Sequence, residues 1–328
     1  MTESRVINAA DVRDAAQLIS GVTVRTPLLE YPELSARAGT RVCVKFEGAQ
    51  HTGSFKFRGA YNRLARIENA AKAAGVVAWS SGNHAQGVAA AASRLGMPAT
   101  IVMPADAPSV KIANTRALGA QIVLYDRLKE SREEIATALA GRTGATLVPS
   151  FDDPYIIAGQ GTIGLEILEQ ARDASAGIGR VLVCCGGGGL VAGIATAIKD
   201  RAPAIELYSV EPAGFDDTAR SLVSGRRESV DKGATSICDA LLAPSPGELT
   251  FPINRTLLSG GLVVSDEQVK EAMRFAFDRM KLVVEPGGAV ALAAALNRLV
   301  PASDLAIVVV ISGSNVDPEL YASIITAR

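Results

Sequence analysis

Four short segments of the chain combine residue types that can do chemistry. They are residues 51–59 (HTGSFKFRG), 80–84 (SSGNH), 186–190 (GGGGL) and 312–315 (SGSN). A lysine amine can act as a nucleophile, consecutive glycine N–H groups can hold a phosphate, and a polar helix start can bind a carboxylate. This combination favours a small anionic ligand beside a reactive amine.

Lys56, in the first segment, lies between Phe55 and Phe57. An apolar cleft would lower the pKa of its amine, because desolvation disfavours the charged form, and would make the amine available for Schiff-base chemistry. A lysine flanked by aromatic residues is more often a surface residue whose stem covers apolar atoms. Taken alone, the local sequence favours that simpler interpretation.

The third segment consists of Gly186, Gly187, Gly188, Gly189 and Leu190. A turn needs one or two glycines, whereas consecutive unhindered N–H groups at a helix start form a phosphate cradle. Gly187, Gly189 and Ala192 also fit the dinucleotide fingerprint G-x-G-x-x-G/A, and Glu211 follows about 20 residues later, where a ribose would need an acid. The segment therefore predicts a phosphate site and leaves the kind of phosphate open.

The second segment consists of Ser80, Ser81, Gly82, Asn83 and His84. Such residues are ordinary helix N-caps, yet five of them exceed what a cap needs. The N–H groups and dipole of the following helix would attract a carboxylate. A simple cap and a site for an anionic substrate group are equally good interpretations. For Ser312, in the fourth segment, an ordinary turn is the simple interpretation.

The elements that must position these segments are short apolar strands alternating with alanine-rich helices. We predict strands over residues 41–46, 76–79, 99–103, 121–124, 146–148, 181–185, 205–210 and 306–311. We predict helices over residues 85–95, 161–171, 190–199 and 267–280. Continuous apolar strands are typical of parallel sheets that are covered on both faces, so the fold class is α/β. Ligands of such sheets bind beyond the carboxyl ends of the strands, where the polar segments lie.

Residues 71–149 have their own rhythm of strands and helices. We therefore expect a small mobile domain over 71–149 that closes over the substrate. The remaining parts, 1–70 and 150–328, would form a large cofactor-binding domain that is discontinuous in sequence.

Composition excludes several function classes. The 328 residues include 33 basic and 34 acidic side chains, a formal net charge of −1, so nothing favours nucleic-acid binding. Residues 1–14 carry no signal-peptide pattern, and the two uncharged stretches, 75–93 and 181–198, are too polar or glycine-rich to span a membrane. We expect a cytoplasmic protein whose four cysteines stay reduced. Two histidines are too few for a His-rich zinc site.

Taken together, the motifs SFKFRG (54–59), SSGNH (80–84), GGGGL (186–190) and SGSN (312–315) resemble the fold-type II pyridoxal-phosphate enzymes. The serine/threonine dehydratase and serine racemase group is the most similar, and AGQGT (158–162) and VEP (284–286) extend the likeness over nearly the whole chain. The resemblance implies a tryptophan synthase β-like fold with two open, mostly parallel sheets and flanking helices. It also implies pyridoxal 5'-phosphate as cofactor and a homodimer.

The resemblance implies a role for each segment. Lys56 would bind the cofactor as a Schiff base and act as the base, Phe55 would pack beside the ring, and Asn83 would bond the ring hydroxyl. Gly186 to Leu190 would hold the phosphate, and Ser312 would face the pyridine nitrogen. Ser80, Ser81, Gly82, Asn83 and His84 would bind the substrate carboxylate. Ser81 would be the second acid or base that racemases use.

Two further expectations concern a metal and the substrate side chain. Glu211, Asp217 and the carbonyl of Phe215 fall where metal-dependent members of the group bind Mg²⁺ (or Ca²⁺ or Mn²⁺), and oxygen ligands suit such cations. Arg132, in the sequence KESREE, is a candidate to bind a second carboxylate of the substrate. It is equally well interpreted as a solvated charge on a helix.

Two departures from the group stand out. Ser314 replaces a common glycine and would alter the turn near the ring. The chain ends at Arg328 without the regulatory domain of biosynthetic threonine dehydratases, so we expect no feedback control by isoleucine.

The resulting hypothesis is a dehydratase (ammonia-lyase) that eliminates water from serine, threonine or a similar β-hydroxy-α-amino acid to give a 2-oxo acid and ammonia. Related alternatives are a 3-hydroxyaspartate ammonia-lyase and a serine racemase. Different classes are an NAD-binding dehydrogenase that uses Gly187, Gly189 and Glu211, and a non-catalytic amino-acid sensor, against which the intact Lys56 argues.

Overall fold

The computed structural model describes residues 5–107 and 109–327. The structure does not describe residues 1–4, Pro108 and Arg328. Part of the N-terminal segment in which we expect no signal peptide, and the chain end named above, therefore lie outside the described residues. The strands are β1 (Leu28–Glu30), β2 (Val42–Phe46), β3 (Val76–Trp79), β4 (Ala99–Pro104), β5 (Gln121–Tyr125), β6 (Thr146–Leu147), β7 (Ile178–Cys184), β8 (Glu206–Pro212), β9 (Gly260–Val264) and β10 (Ala306–Ile311).

The helices interleave with these strands. They are α1 (Ala9–Leu18), α2 (Pro32–Ala38), α3 (Lys56–Ala65), α4 (Asn69–Lys72), α5 (Asn83–Arg94), α6 (Ser109–Ala117), α7 (Arg132–Thr143), α8 (Pro154–Asp173), α9 (Gly189–Arg201), α10 (Asp217–Ser224), α11 (Thr250–Leu257), α12 (Asp266–Phe275), α13 (Pro286–Leu296) and α14 (Pro318–Thr326). Short 3₁₀ turns cover Glu47–Ala49, His51–Gly53 and Asp239–Leu241, and a π-helical turn covers Ala276–Met280.

The larger sheet has six strands in the order β1-β2-β10-β7-β8-β9. All its pairs are parallel except β1 with β2. The two strands that we did not predict, β1 and β9, lie at its edges. β1 is three residues long and partly exposed, and β9 opens with Gly260 and Gly261, so neither has the continuous apolar run of an interior strand.

The smaller sheet has four parallel strands in the order β5-β4-β3-β6. Together the two sheets confirm the predicted α/β class. The core of the smaller sheet also contains Phe57, Ala60 and Leu64 from α3, which lies outside residues 71–149. The helix that begins at Lys56 therefore contributes to the core of the smaller sheet, and it packs against α5 and α8.

Helix α8 begins seven residues before the predicted start at Gly161. Asp153 caps it by accepting the N–H groups of Tyr155 (2.8 Å) and Ile156 (3.0 Å), and Pro154 is its first residue. The glycines inside α8 serve packing, because without a Cβ they let the backbones of neighbouring helices lie close to α8. A Cβ added at Gly159 would lie 2.7 Å from the Cα of Gly59.

Two expectations from composition can be compared with the fold. No helix within the described parts of the chain is both long enough and apolar enough to cross a membrane. All four cysteines, Cys43, Cys184, Cys185 and Cys238, are buried and free. They act as small apolar core residues, as we expected.

Candidate active site

Three of the four segments meet at the carboxyl ends of β3 and β10. Ser54 forms an antiparallel bridge with Gly313, and the Phe55 N–H donates to the carbonyl of Ser312 (3.1 Å). The Asn315 amide donates to the carbonyl of Thr52 and to Oδ1 of Asn83, both at 2.7 Å. Asn315 thus ties the lysine segment to the 80–84 segment.

Lys56 is the first residue of α3 and is half-buried. Its Nζ donates to the carbonyl of Ser150 (2.7 Å) and lies 5.2 Å from the centroid of the Phe55 ring. Burial lowers the pKa of Lys56 to about 8, although Cys184 and Glu285 oppose that shift. The interpretation of Lys56 as a solvated surface residue is therefore wrong. With this pKa the amine is mostly charged at pH 7, and its neutral fraction rises as the pH approaches 8.

Arg58, which the sequence analysis did not single out, fixes the start of α3. It is fully buried, and it donates to Glu47 (2.8 Å) and to Glu166 (2.6 Å). A buried guanidinium with two carboxylate partners is strongly oriented, because breaking either pair would leave an uncompensated charge. The lysine two residues earlier is thereby held on a rigid turn. No local sequence signal distinguished Arg58, because the same short helix also contains the polar residues Asn62 and Arg63.

The glycine segment follows β7 and forms the N-terminus of α9. Gly188 has a φ of +91°, and a Cβ there would lie 2.6 Å from the Asn254 amide nitrogen. A Cβ at Gly189 would lie 2.9 Å from the carbonyl oxygen of Phe151. The hydroxyl of Thr250 donates to the carbonyl of Gly187 (2.6 Å). The first N–H groups of a helix have no partners within the helix, so the fixed backbone offers them to an anion.

The 80–84 segment leads into α5, and it does not cap that helix with a side chain. Gly82 is the N-cap residue and contributes no side-chain hydrogen bond. The Ser80 hydroxyl accepts the Gly82 N–H (3.2 Å), while the half-buried Ser81 hydroxyl has no hydrogen-bond partner among the described residues. Of the two interpretations, this geometry favours the anion site, because the N–H groups of the helix start stay available.

His84 is buried and neutral. Burial lowers its pKa to about 3, and the charge of Lys56 acts in the same direction. In the neutral ring Nε2–H donates to the carbonyl of Val148 (2.9 Å), which leaves Nδ1 as a buried acceptor with no partner in the described structure. His84 therefore anchors the segment to the end of β6 and brings no positive charge to a carboxylate.

Glu285 is a second residue that the sequence analysis did not assign. It is 2% exposed, its carboxylate accepts from the Asn83 amide (2.6 Å), and burial raises its pKa to about 7. Glu285 precedes Pro286, the first residue of the entirely buried helix α13. An acid at the start of so apolar a helix is the signal that could have revealed it. Because its backbone N–H donates to the carbonyl of Gly313 (3.2 Å), Glu285 connects the 312–315 segment to the 80–84 segment.

The proposed metal ligands lie together at the start of α10. Both Glu211 and Asp217 are buried; the Glu211 carboxylate accepts the N–H groups of Thr218 (2.9 Å) and Ala219 (2.7 Å). Burial, reinforced by the charge of Asp217, raises the pKa of Glu211 to about 8. Burial raises the pKa of Asp217 to about 7, and its Oδ2 has no partner in the described parts of the chain. Phe215 lies between them in the chain.

The remaining predicted residues have clear positions. Ser312 is buried. Burial raises the pKa of Cys184 to about 11, and a hydrogen bond with the Ser312 hydroxyl acts against that rise. Ser314 donates to the carbonyl of Val283 (2.7 Å). Arg132 lies on the surface at the start of α7 and pairs with the adjacent Glu133 (2.9 Å). Among the described residues no contact joins Arg132 to the segments around Lys56.

The whole arrangement is that of a cofactor enzyme with a desolvated lysine, an anion cradle and a polar helix start. Residues 19–313 match the family described as pyridoxal-phosphate dependent enzyme, and the chain belongs to that family. The chain is 46% identical over 315 residues to an L-threo-3-hydroxyaspartate ammonia-lyase from Pseudomonas sp, covering 96% of this chain and 97% of the relative.

Two further similarities cover nearly the whole chain. A serine racemase from Schizosaccharomyces pombe is 40% identical, over 95% of each chain. The crystal structure of a threonine deaminase from T.th. is similar with a TM-score of 0.89 and 45% identity, covering 95% of this chain and 99% of that chain. The prediction of a pyridoxal-phosphate-dependent enzyme of the ammonia-lyase class is confirmed, and so is the two-sheet fold.

The family match argues against the alternative of an NAD-binding dehydrogenase. The structure gives the physical reason at Glu211, the residue which that alternative needs on a ribose. Both of its carboxylate oxygens are buried and accept backbone N–H groups of α10. Glu211 therefore faces the start of α10 and the carboxylate of Asp217.

Proposed function

We propose that the chain eliminates water from a β-hydroxy-α-amino acid to give a 2-oxo acid and ammonia, with 3-hydroxyaspartate, threonine and serine as the substrate class. The observation that carries this proposal is the position of the desolvated Lys56 amine. The amine donates to the carbonyl of Ser150, whose neighbour Phe151 packs on Gly187 and Gly189, and a Cβ on Gly87 of α5 would lie 3.1 Å from the Lys56 backbone. The names of the relatives, which are ammonia-lyases acting on hydroxyaspartate or threonine and serine racemases, support it.

The residues fit pyridoxal phosphate. Lys56 would bind it covalently, the N–H groups of 186–190 would hold its phosphate, and Phe55, Asn83 and Ser312 would contact its ring. The glycine segment has no room for side chains, so its N–H groups stay unhindered for a phosphate. The lowered pKa of the Lys56 amine suits the formation of a covalent bond to an aldehyde. When bound, the cofactor supplies an electron-withdrawing ring that acidifies the Cα proton of an attached amino acid.

The chain's own residues then bind the substrate and move protons. The start of α5, with Ser80 to His84, binds the α-carboxylate and so orients the Cα–H bond. The Lys56 amine, with its pKa near 8, accepts the Cα proton at Nζ. Loss of the β-hydroxyl as water leaves an enamine, which becomes an imine and is hydrolysed to the 2-oxo acid and ammonia.

Racemisation is the second candidate activity, and one observation favours it. The Ser81 hydroxyl is half-buried beside the helix start and has no hydrogen-bond partner among the residues that the structure describes. A hydroxyl in that state is able to deliver a proton to the face of Cα opposite Lys56. Ser81→Ala should therefore abolish any racemisation of serine while elimination from one enantiomer continues, as chiral chromatography of the remaining serine would show.

A divalent cation is also part of the proposal. Two buried carboxylates with raised pKa values and one unpartnered oxygen are suited to a hard cation such as Mg²⁺, Ca²⁺ or Mn²⁺. Glu211, Asp217 and the Phe215 carbonyl would hold it. Adding the cation to chelator-treated protein should raise the melting temperature, and more so at pH 8 than at pH 6, because the cation competes with protons.

The control for this site is the neighbouring acid Asp216, which lies near Arg220. Asp217→Asn should abolish the response of the melting temperature to cations, whereas Asp216→Asn should keep it. A parent protein whose melting temperature ignores all three cations, and in which metal analysis finds none, would contradict the site.

Four expectations extend the proposal beyond the active site. We propose a homodimer, a cytoplasmic location and no nucleic-acid partner, which the resemblance, the reduced cysteines and the balanced charge support. We also propose that residues 71–149 form a mobile domain. The strands of the smaller sheet, which all lie between Val76 and Leu147, support that division.

Lys56→Ala tests the catalytic proposal directly. The variant should lose the borohydride-fixable yellow absorbance of the bound cofactor and at least about 100-fold in kcat for release of 2-oxo acid. Lys129→Ala, at a lysine whose side chain is 80% exposed, is the matched control and should keep both. Turnover and fixable colour persisting in Lys56→Ala would overturn the assignment.

A further inference from the structure

One ion pair joins residues 71–149 to the rest of the described chain. Nζ of Lys111, on α6, lies 2.6 Å from Oδ2 of Asp239. Other cations of the same segment, Arg127 and Arg132 among them, pair with acids of that segment. The Lys111 side chain is only 15% exposed, whereas that of Asp239 is 55% exposed. The lysine is thus the enclosed partner and the aspartate the one that water reaches.

The ion pair lies between the two anion-binding segments. Helix α6 packs against α5, which begins at Asn83. Asp239 opens the 3₁₀ turn whose Leu241 packs on the glycine segment: a Cβ on Gly186 would lie 3.1 Å from the Cα of Leu241. The Lys111–Asp239 pair therefore links the helix that packs on α5 to the turn that packs on the glycine segment.

Both charges also act on the buried carboxylate of Glu285. Asp239 raises the pKa of Glu285 and Lys111 lowers it, which places both within Coulombic reach of the group that holds Asn83. A ligand whose α-carboxylate is bound at 80–84 would present its side chain to the same region. A second negative charge there would meet repulsion from Asp239 and attraction from Lys111.

We propose that Lys111 is a specificity-determining residue, and that it exchanges Asp239 for the side-chain carboxylate of a dicarboxylic β-hydroxy-α-amino acid. This inference rests on the proposed elimination reaction. The exchange replaces one carboxylate by another, so the enclosed ammonium keeps a partner while the exposed Asp239 returns to water. With serine or threonine, which have no second carboxylate, the Lys111–Asp239 pair stays intact.

The inference differs from the assignment of Arg132 made from the sequence. Arg132 is half-exposed and is paired with its neighbour Glu133, whereas Lys111 is enclosed and is paired with Asp239. The two residues can be separated by substitution, since they lie on different helices.

The experiment compares kcat/KM for 3-hydroxyaspartate with kcat/KM for serine and threonine in the holoenzyme. Lys111→Gln should lower kcat/KM for 3-hydroxyaspartate at least tenfold, mainly through KM, and change the values for serine and threonine less than threefold. Lys111→Arg should restore most of the loss. Asp239→Asn, which removes the competing carboxylate, should lower KM for 3-hydroxyaspartate. Lys129→Gln is the charge-matched control and should leave the ratio unchanged.

Three results would overturn the inference. An equal loss of kcat/KM for all substrates in Lys111→Gln would show that the ion pair supports the active site whichever substrate is bound. A selective loss in Arg132→Gln but not in Lys111→Gln would assign the carboxylate to Arg132. A parent enzyme that acts on serine and threonine but not on 3-hydroxyaspartate would refute a dicarboxylate preference while leaving the elimination reaction intact.

A measurement without turnover separates the two proposals. Succinate, a dicarboxylate with no amine, should raise the melting temperature of the parent holoenzyme, and Lys111→Gln should abolish that shift. If no amino acid releases a 2-oxo acid but the succinate effect depends on Lys111, the elimination proposal fails and the dicarboxylate site stands. If succinate acts equally on parent and variant, the site fails.

Discussion

The glycine segment 186–190 and the polar segment 80–84 are both strand–loop–helix junctions, yet they are constructed in different ways. In the glycine segment there is no room for side chains: added Cβ atoms at Gly187, Gly188 and Gly189 would lie within 3 Å of protein atoms. Around Gly82 there is nothing within 4 Å of such an atom. One segment is a packed backbone, and the other is open and depends on side chains.

The difference suits the two tasks that we propose for these segments. A phosphate has the same shape in every catalytic cycle, so a rigid backbone fixed by Thr250 and Asn254 suits it. In the proposed function, substrate arrives and product leaves at the other segment. There Asn83 is held by Glu285 and Asn315, which both belong to the part of the chain that contains the larger sheet. The rigid segment is supported by its own surroundings, whereas the open segment is held from across the cleft.

The largest change in stability is expected for a substitution in the packed glycine segment. Gly188→Ala places a side chain at a φ of +91° and 2.6 Å from the Asn254 amide. The two costs together should destabilise the protein by about 2–4 kcal/mol and weaken cofactor retention. Chemical denaturation and the visible absorbance after gel filtration would measure both.

Two glycines serve as controls for Gly188→Ala. Gly96 has a φ of +65° with nothing within 4 Å, so Gly96→Ala should cost only the backbone strain, about 1–2 kcal/mol. Gly82→Ala should stay within about 0.5 kcal/mol of the parent. If Gly82→Ala proves as harmful as Gly188→Ala, the contrast between packed and open segments is wrong.

The second prediction concerns the support that Glu285 gives to the open segment. Burial raises its pKa from an ordinary 4.5 to about 7, so the folded state holds a proton that the unfolded state releases. Stability from this group is fully present below pH 4.5 and is lost as the pH rises to about 7, with a total of about 3 kcal/mol. Glu285→Gln should remove that part of the pH dependence.

Denaturation curves at pH 5 and pH 8 would measure the effect. Glu211 and Asp217, whose pKa values are also raised by burial, keep a slope of the same sign in the variant. Glu248→Gln, at an acid whose side chain is 80% exposed, is the control and should follow the parent. A Glu285→Gln curve parallel to that of the parent would show that Glu285 is ionised in both states.

The smallest effect is expected at Ser314. Its hydroxyl donates to the carbonyl of Val283 (2.7 Å) and is therefore directed at that neighbouring loop. Ser314→Gly, which restores the glycine common in the group, should lower stability by about 0.5–1.5 kcal/mol and leave kcat/KM within twofold. A larger change in kcat/KM would mean that this residue shapes the ring site after all.

Several features of the fold could be predicted from short stretches of sequence. The interior strands, such as β3 and β10, were identified because a strand covered on both faces must be apolar throughout. Edge strands such as β9 were missed, since a half-exposed strand has no such requirement. The start of α8 was misplaced because its glycines serve helix packing, which depends on partners that are remote in sequence.

The sequence by itself determined the α/β class and the order of the four segments, and it predicted a phosphate site at 186–190. Each of these depends on neighbouring residues, through apolar runs or consecutive glycines. The tertiary structure decided which groups surround Lys56, whether its amine is desolvated, and which cation of residues 71–149 pairs with an acid outside that segment. Glu285 contacts Asn83 across 202 residues, and Lys111 meets Asp239 across 128, because folding brings distant strand ends to one cleft. Burial and Coulombic interactions depend on distance in space, so local sequence does not reveal them.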